Sequence, residues 1–183
     1  QAITGTAVND EDVLRHFGGG ELSILQTILG PEKGQQAYAI YREQAVARAA
    51  QMPLHEGIVE VLNSLKSRNV RMGIVTGRGA DSLAVLLDYH QLHSPFEVIV
   101  AYDDVGISKP DPAGLNLALK KMNARPEQAL YVGDSWADIR AAHAAGVKAY
   151  GARWDRLADF ARLGSAEQPL RWLTHPRELL TLI

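Results

Sequence analysis

The chain has 183 residues, enough for one good-sized core, and its 46% hydrophobic and 22% charged residues exclude wholesale disorder. Nineteen Lys and Arg against 21 Asp and Glu give a net charge of −2, so no broad basic face is offered to nucleic acid or to an anionic membrane. The absence of cysteine excludes a disulfide framework, thiolate metal ligands and a cysteine nucleophile. No apolar run is long enough to span a bilayer, and the start QAITGTAVNDED has neither the basic nor the apolar region of a signal peptide, so a cytoplasmic protein is expected.

The first quarter reads as helix. Asn9 or Asp10 can cap a short helix with Val13, Leu14 and Phe17 on its apolar face, stopped by Gly18-Gly19-Gly20. A second helix is expected over Glu21–Leu29, ending at Gly30-Pro31, and a third over Pro31–Ala50 with Pro in its first turn. Ala37, Tyr38, Tyr41, Ala45 and Ala49 recur at helical spacing and make its buried stripe.

After Met52-Pro53 short apolar strands alternate with helices. The order is helix 56–69, strand 70–76, helix 80–89, strand 97–101, a long loop YDDVGISKPDP, helix 112–122, strand 129–132, helix 136–145 and strand 147–150. A helix over 155–163, a short strand over 171–173 and a last helix over 176–182 follow. Such alternation means βαβ units, and the fold class is α/β, a doubly wound parallel sheet with a small helical cap in front. The domains expected are a cap over 1–52 and an α/β core over 53–183.

In an open parallel sheet, ligands bind beyond the carboxyl ends of the strands. The first strand ends in Thr76, followed by Gly77-Arg78-Gly79 and a helix. The second leads through Asp103-Asp104, read as an ordinary solvated pair, to Lys109 in SKPDP. The third ends in Gly133-Asp134-Ser135, with Asp138 one helical turn beyond Asp134. Taken singly, Thr76 suits turn chemistry, Lys109 a solvated charge and Asp134 a helix cap. The six histidines show no metal-ligand spacing, and the three tryptophans give no stacking platform for nucleic acid.

Taken together, a Thr, a Lys and Gly-Asp-x-x-x-Asp at successive strand ends form a specific constellation. It resembles the haloacid dehalogenase-like superfamily, in particular its phosphoglycolate-phosphatase-like members, over nearly the whole chain. IVTGR is similar to motif II with Thr76, ISKPDP to motif III with Lys109, and YVGDSWADIRAAHAAGV to motif IV with Asp134 and Asp138. The resemblance implies a Rossmann-like core and a Mg²⁺-dependent phosphatase of small phosphorylated metabolites, working as a monomer or homodimer. It makes Thr76 and Lys109 catalytic, sets Thr76, Gly77, Arg78 and Lys109 on the phosphate, and gives Asp134 and Asp138 to the metal, Asp138 as support for Lys109 or a metal-bound water. Arg78 departs from the polar residues expected near motif II.

The family's nucleophile is the first Asp of Asp-x-Asp-x-Thr, at the end of an apolar first strand, and the second Asp is its general acid and base. No such motif occurs here. Ala2-Ile3-Thr4-Gly5-Thr6 matches only its trailing Gly-Thr and puts Ala2 and Thr4 where the carboxylates belong. The expectation is that more residues precede Gln1, and that these 183 residues alone hydrolyse nothing. In the family fold the missing strand lies between those ending in Thr76 and Val132, so its absence leaves two unpaired edges inside the sheet. The alternatives are a non-catalytic relative or inactive fragment, and a phosphomutase, which shares the core motifs. A metal-free dehalogenase lacks the Asp134 and Asp138 carboxylates. A dinucleotide-binding module needs a third glycine where Ser82 stands after Gly77-Arg78-Gly79.

Overall fold

The computed structural model describes residues 19–183; the helix expected between Asn9 and Phe17 lies outside them. The first helices are α1 (Glu21–Leu29), α2 (Pro31–Glu43) and α3 (Ala45–Ala49). A turn at Gln44 divides what periodicity reads as one helix, and the apolar stripe crosses the division: Tyr38, Ala45 and Ala49 are buried.

Next come α4 (Ile58–Ser67), β1 (Gly73–Val75), α5 (Ala80–Tyr89), β2 (Val98–Val100) and α6 (Tyr102–Val105). The last of these was expected as loop. Its single turn is held by the Asp104 carboxylate, which accepts from Ala101 N at 2.8 Å, and stops at Gly106 with φ of 65°, a left-handed position suited to glycine. Then α7 (Ala113–Lys121), β3 (Leu130–Gly133), α8 (Trp136–Ala144), β4 (Lys148–Ala152) and β5 (Arg171–Leu173) follow, with a last 3₁₀ turn over Pro176–Thr181 in place of the expected α-helix.

The helix expected over 155–163 is absent, and a turning segment replaces it. Asp155 Oδ1 accepts from Leu157 N at 2.6 Å and Asp159 Oδ1 from Ala161 N at 3.0 Å, local bonds that compete with helical ones. The segment also bridges to the end of β3, since Trp136 N donates to Asp159 O and Asp159 N to Asp134 O.

The residues pack as two compact units. The first holds the chain up to Pro53 together with Thr76–His93 and Ala101–Ser108; the second holds Leu54–Val75, Ser94–Val100 and Lys109–Ile183. Within the second, the described strands form two parallel sheets. Gly73, Ile74 and Val75 of β1 pair with Val98, Ile99 and Val100 of β2. β4 lies between β3 and β5, with Gly133 opposite Gly151 and Ala152 opposite Leu173. Among the described residues β1 and β3 do not pair, so each keeps an edge where the missing strand was expected. The core gathers on the face of α8, where Ile139, Ala141 and Ala142 are fully buried against Leu115, Val147 and Ala149. The two alanines bring the helix close to the sheet and fix where its first turn stands.

Candidate active site

The end of β3 and the start of α8 are joined by a tight reciprocal cap. Ser135, not Asp134, is the N-cap: its Oγ accepts from Asp138 N at 3.3 Å, while Asp138 Oδ2 accepts from Ser135 N at 3.0 Å and from Ser135 Oγ at 2.6 Å. This Ser-x-x-Asp box draws the Asp138 side chain back over the strand end. A Cβ on Gly133 would collide with the Cβ of Asp138, which is why glycine precedes Asp134.

The other oxygen, Asp138 Oδ1, meets Lys109 Nζ at 2.5 Å and accepts from Tyr131 Oη at 3.1 Å. Lys109 Nζ also lies 2.9 Å from Tyr131 Oη and 3.5 Å from the Val75 carbonyl, to which Tyr131 Oη stands at 3.1 Å. The lysine and the phenol thus both reach the Asp138 carboxylate and one backbone oxygen at the end of β1. Only 3% of Asp138 is exposed. Burial works against both charges of the pair. The charge and hydrogen bond of Lys109 nevertheless hold Asp138 below the usual carboxylate range, and Tyr131 and Asp138 hold the Lys109 ammonium above an ordinary lysine. Burial pushes the Tyr131 phenol up, so it stays protonated as a donor.

Asp134 directly follows β3 and is exposed. Crowding by neighbouring atoms and then the charge of Asp138 raise its carboxyl above the usual range. A cation at that carboxylate would relieve both effects. Among the described residues no three His, Asp or Glu side chains converge on one point, so Asp134 and Asp138 are the donor set available. Mg²⁺ takes one or two carboxylates and completes its shell with water and phosphate oxygens, so this set would fit it, with Asp134 as the carboxylate open to such an ion. Both oxygens of Asp138 hold protein donors.

Thr76, Gly77 and Arg78 lie in the first unit, as the loop that starts α5. Thr76 Oγ1 accepts from Arg78 N at 3.1 Å, which uses a lone pair and leaves its O–H hydrogen free to donate elsewhere. The Arg78 guanidinium lies 3.3 Å from Glu21, a residue the sequence did not single out. Asp103, expected as a solvated charge, is exposed but caps α5 by accepting from Ala80 N at 2.5 Å. Tyr131 was also missed, because a tyrosine within LYVG reads as core. The Ser-x-x-Asp spacing was the available sign of the cap. No described helix is long and apolar enough to cross a membrane.

Residues 2–152 match the family model of haloacid dehalogenase-like hydrolases. The chain belongs to that family. It is 37% identical to phosphoglycolate phosphatase 1 of Pseudomonas aeruginosa over 120 residues, 66% of this chain and 44% of that protein. It is 34% identical to pyrophosphatase PpaX of Bacillus pumilus over 148 residues, 79% of this chain and 67% of that one. The chain thus spans less than half of the first relative's length and about two thirds of the second's. The crystal structure of a predicted phosphoglycolate phosphatase from Haemophilus somnus shares the fold, with a TM-score of 0.78 at 19% identity over 96% of this chain and 83% of that one. The haloacid dehalogenase-like α/β architecture is therefore that of this protein.

Proposed function

We propose that this chain belongs to a Mg²⁺-dependent phosphatase of small phosphorylated metabolites, a cytoplasmic monomer or homodimer, whose attacking aspartate lies on a segment outside these 183 residues. The observation that carries the reading is the Lys109–Asp138–Tyr131 cluster beside the accessible Asp134 at one strand end. A buried ammonium held in one orientation suits a group that accumulates negative charge in its transition state. Among the described residues β1 and β3 each keep an unpaired edge, which suits a further strand. Similarity to phosphoglycolate phosphatase and to a pyrophosphatase directs the first assays to phosphoglycolate, pyrophosphate, sugar phosphates and nucleotide monophosphates.

In this mechanism the Thr76 hydroxyl and the Gly77 N–H bond two phosphate oxygens. Lys109, oriented by Asp138 and Tyr131, neutralises charge on the phosphate and on the attacking carboxylate. Asp134 would hold Mg²⁺, whose bound charge would offset the negative charge of the phosphoryl group. A carboxylate oxygen bonds to phosphorus as the ester oxygen leaves with a proton from the second Asp of motif I. Water then hydrolyses the aspartyl phosphate, returning the carboxylate and releasing inorganic phosphate.

The test is Asp134→Asn in the complete protein. Mg²⁺-dependent phosphate release should fall at least about a thousandfold, the order seen when a charge-stabilising contact is lost, with the circular dichroism spectrum unchanged. Full turnover in the variant removes Asp134 from the site. If the wild type releases phosphate from none of the four substrate classes, the phosphatase reading gives way to a non-catalytic relative.

A further inference from the structure

Glu21, the first residue of α1, has a side chain only 17% exposed, and its carboxylate is surrounded by donors from α2, from α5 and from the loop before α5. Its Oε1 accepts from Ser82 Oγ at 2.6 Å, from Arg78 Nη1 at 3.3 Å and from Tyr41 Oη at 3.4 Å. Its Oε2 accepts from Gly79 N at 2.8 Å. Gly79 is the N-cap of α5 and has no side chain with which to cap it. Its N–H and that of Ala80 are donors to which an outside anion would be drawn. Glu21 and Asp103 already fill both.

The neighbouring loop atoms are tied down as well. Gly20 N donates to Gly77 O at 2.9 Å and Tyr102 N to Arg78 O at 2.9 Å. Gly20 has φ of 71°, and a Cβ there would enter the Tyr102 ring, so only glycine lets α1 begin this close to the loop.

We propose that Glu21 is a positioning residue for the Thr76–Gly79 loop, and that it commits Arg78 to the protein rather than to the substrate phosphate. The proposal rests on the phosphatase reading, in which this loop presents Thr76 and Gly77 to phosphate. Glutamine at position 21 keeps the size of the side chain but turns an NH₂ group toward donors and removes the charge that strengthens these bonds. The loop then loses its fixed orientation, and phosphate binding weakens with it. If Arg78 were itself a phosphate ligand, the sign would reverse: Glu21 would hold it back, and Glu21→Gln would release it to bind phosphate more tightly.

The complete protein with Mg²⁺ is titrated calorimetrically with inorganic phosphate, and melting is followed in parallel. Glu21→Gln should weaken phosphate binding roughly tenfold, as expected for loss of charge-assisted bonds, and raise KM for p-nitrophenyl phosphate more than it lowers kcat. Arg78→Ala should lose at most about threefold, and the double variant should be no weaker than Glu21→Gln, because both act through one contact. A merely structural role would lower the melting temperature and leave the phosphate affinity of the folded protein unchanged. Unchanged or tighter phosphate binding in Glu21→Gln overturns the proposal. So does a tenfold or greater loss in Arg78→Ala, which decides the matter should Glu21→Gln fail to fold. A wild type that binds no phosphate defeats the phosphatase reading and this proposal with it, an outcome distinct from a wild type that binds and a Glu21 variant that binds equally.

Discussion

Asp138 shows how one side chain takes on structural and chemical duties by using its two oxygens separately. Oδ2 closes the cap of α8, and Oδ1 receives the ammonium of Lys109 and the hydroxyl of Tyr131. A pair so deeply placed recovers its desolvation cost only while every donor and acceptor is matched. Removing one partner should therefore harm more than removing both. Lys109→Met keeps the length of the stem but leaves Asp138 buried without its counter-charge. The expected loss is about 3–5 kcal/mol of unfolding free energy, with part of it recovered in Lys109→Met combined with Asp138→Asn. Denaturant melts of the four proteins in the cycle measure this. A Lys109→Met variant as stable as wild type would mean that water reaches Asp138 freely.

At the scale of elements, the turn from β3 into α8 sets the position of Asp134, and Ser135 holds that turn. Ser135→Ala removes the acceptor for Asp138 N and the hydroxyl that donates to Asp138 Oδ2. Such a cap is worth about 1–2 kcal/mol, read as a lower denaturation midpoint at unchanged slope. The helix itself was legible, but its cap was assigned to Asp134 because the Ser-x-x-Asp box was not read; α1, α5 and β5 fall at the residues expected. Elements were misread where side chains overrode periodicity. Asp155 and Asp159 bond their own backbone and dissolve a helix, whereas Asp104 does the same at Ala101 and makes one. Lys109, Asp134 and Asp138 could be picked out as candidates because each is a charge that follows a strand, in the next loop or first helical turn. Tyr131 and Glu21 could not, because an aromatic in a strand and an acid in a first helical turn have ordinary explanations that only their partners displace.

At the scale of the molecule, the second unit draws together segments far apart in the chain, and its closing end depends on Glu178. This carboxylate accepts from Thr174 N at 2.7 Å and His175 N at 3.0 Å through Oε1, and from Arg171 at 2.7 Å through Oε2. It thereby fixes the step from β5 to the last 3₁₀ turn. From that turn Arg177 reaches Glu60 of α4 at 2.8 Å, a link across 117 residues, and Arg68, the C-cap of α4, reaches back to the carbonyls of Leu180 and Ile183. The backbone and side-chain hydrogen bonds from Thr174, joined by His175 N and Arg171, pull the Glu178 carboxyl from 4.5 down to about 2. A carboxylate whose folded value lies below its unfolded one stabilises the fold above the unfolded value. That contribution is lost as the pH falls through the folded one. The contribution of Glu178 should thus be complete above about pH 5, fade between 4.5 and 2, and be gone below that. Glu178→Gln should lower the urea midpoint at pH 6, and its curve should approach that of wild type as the pH nears 2. A gap between the two proteins that stays constant over the whole range would show that Glu178 acts by packing, with its charge making no difference.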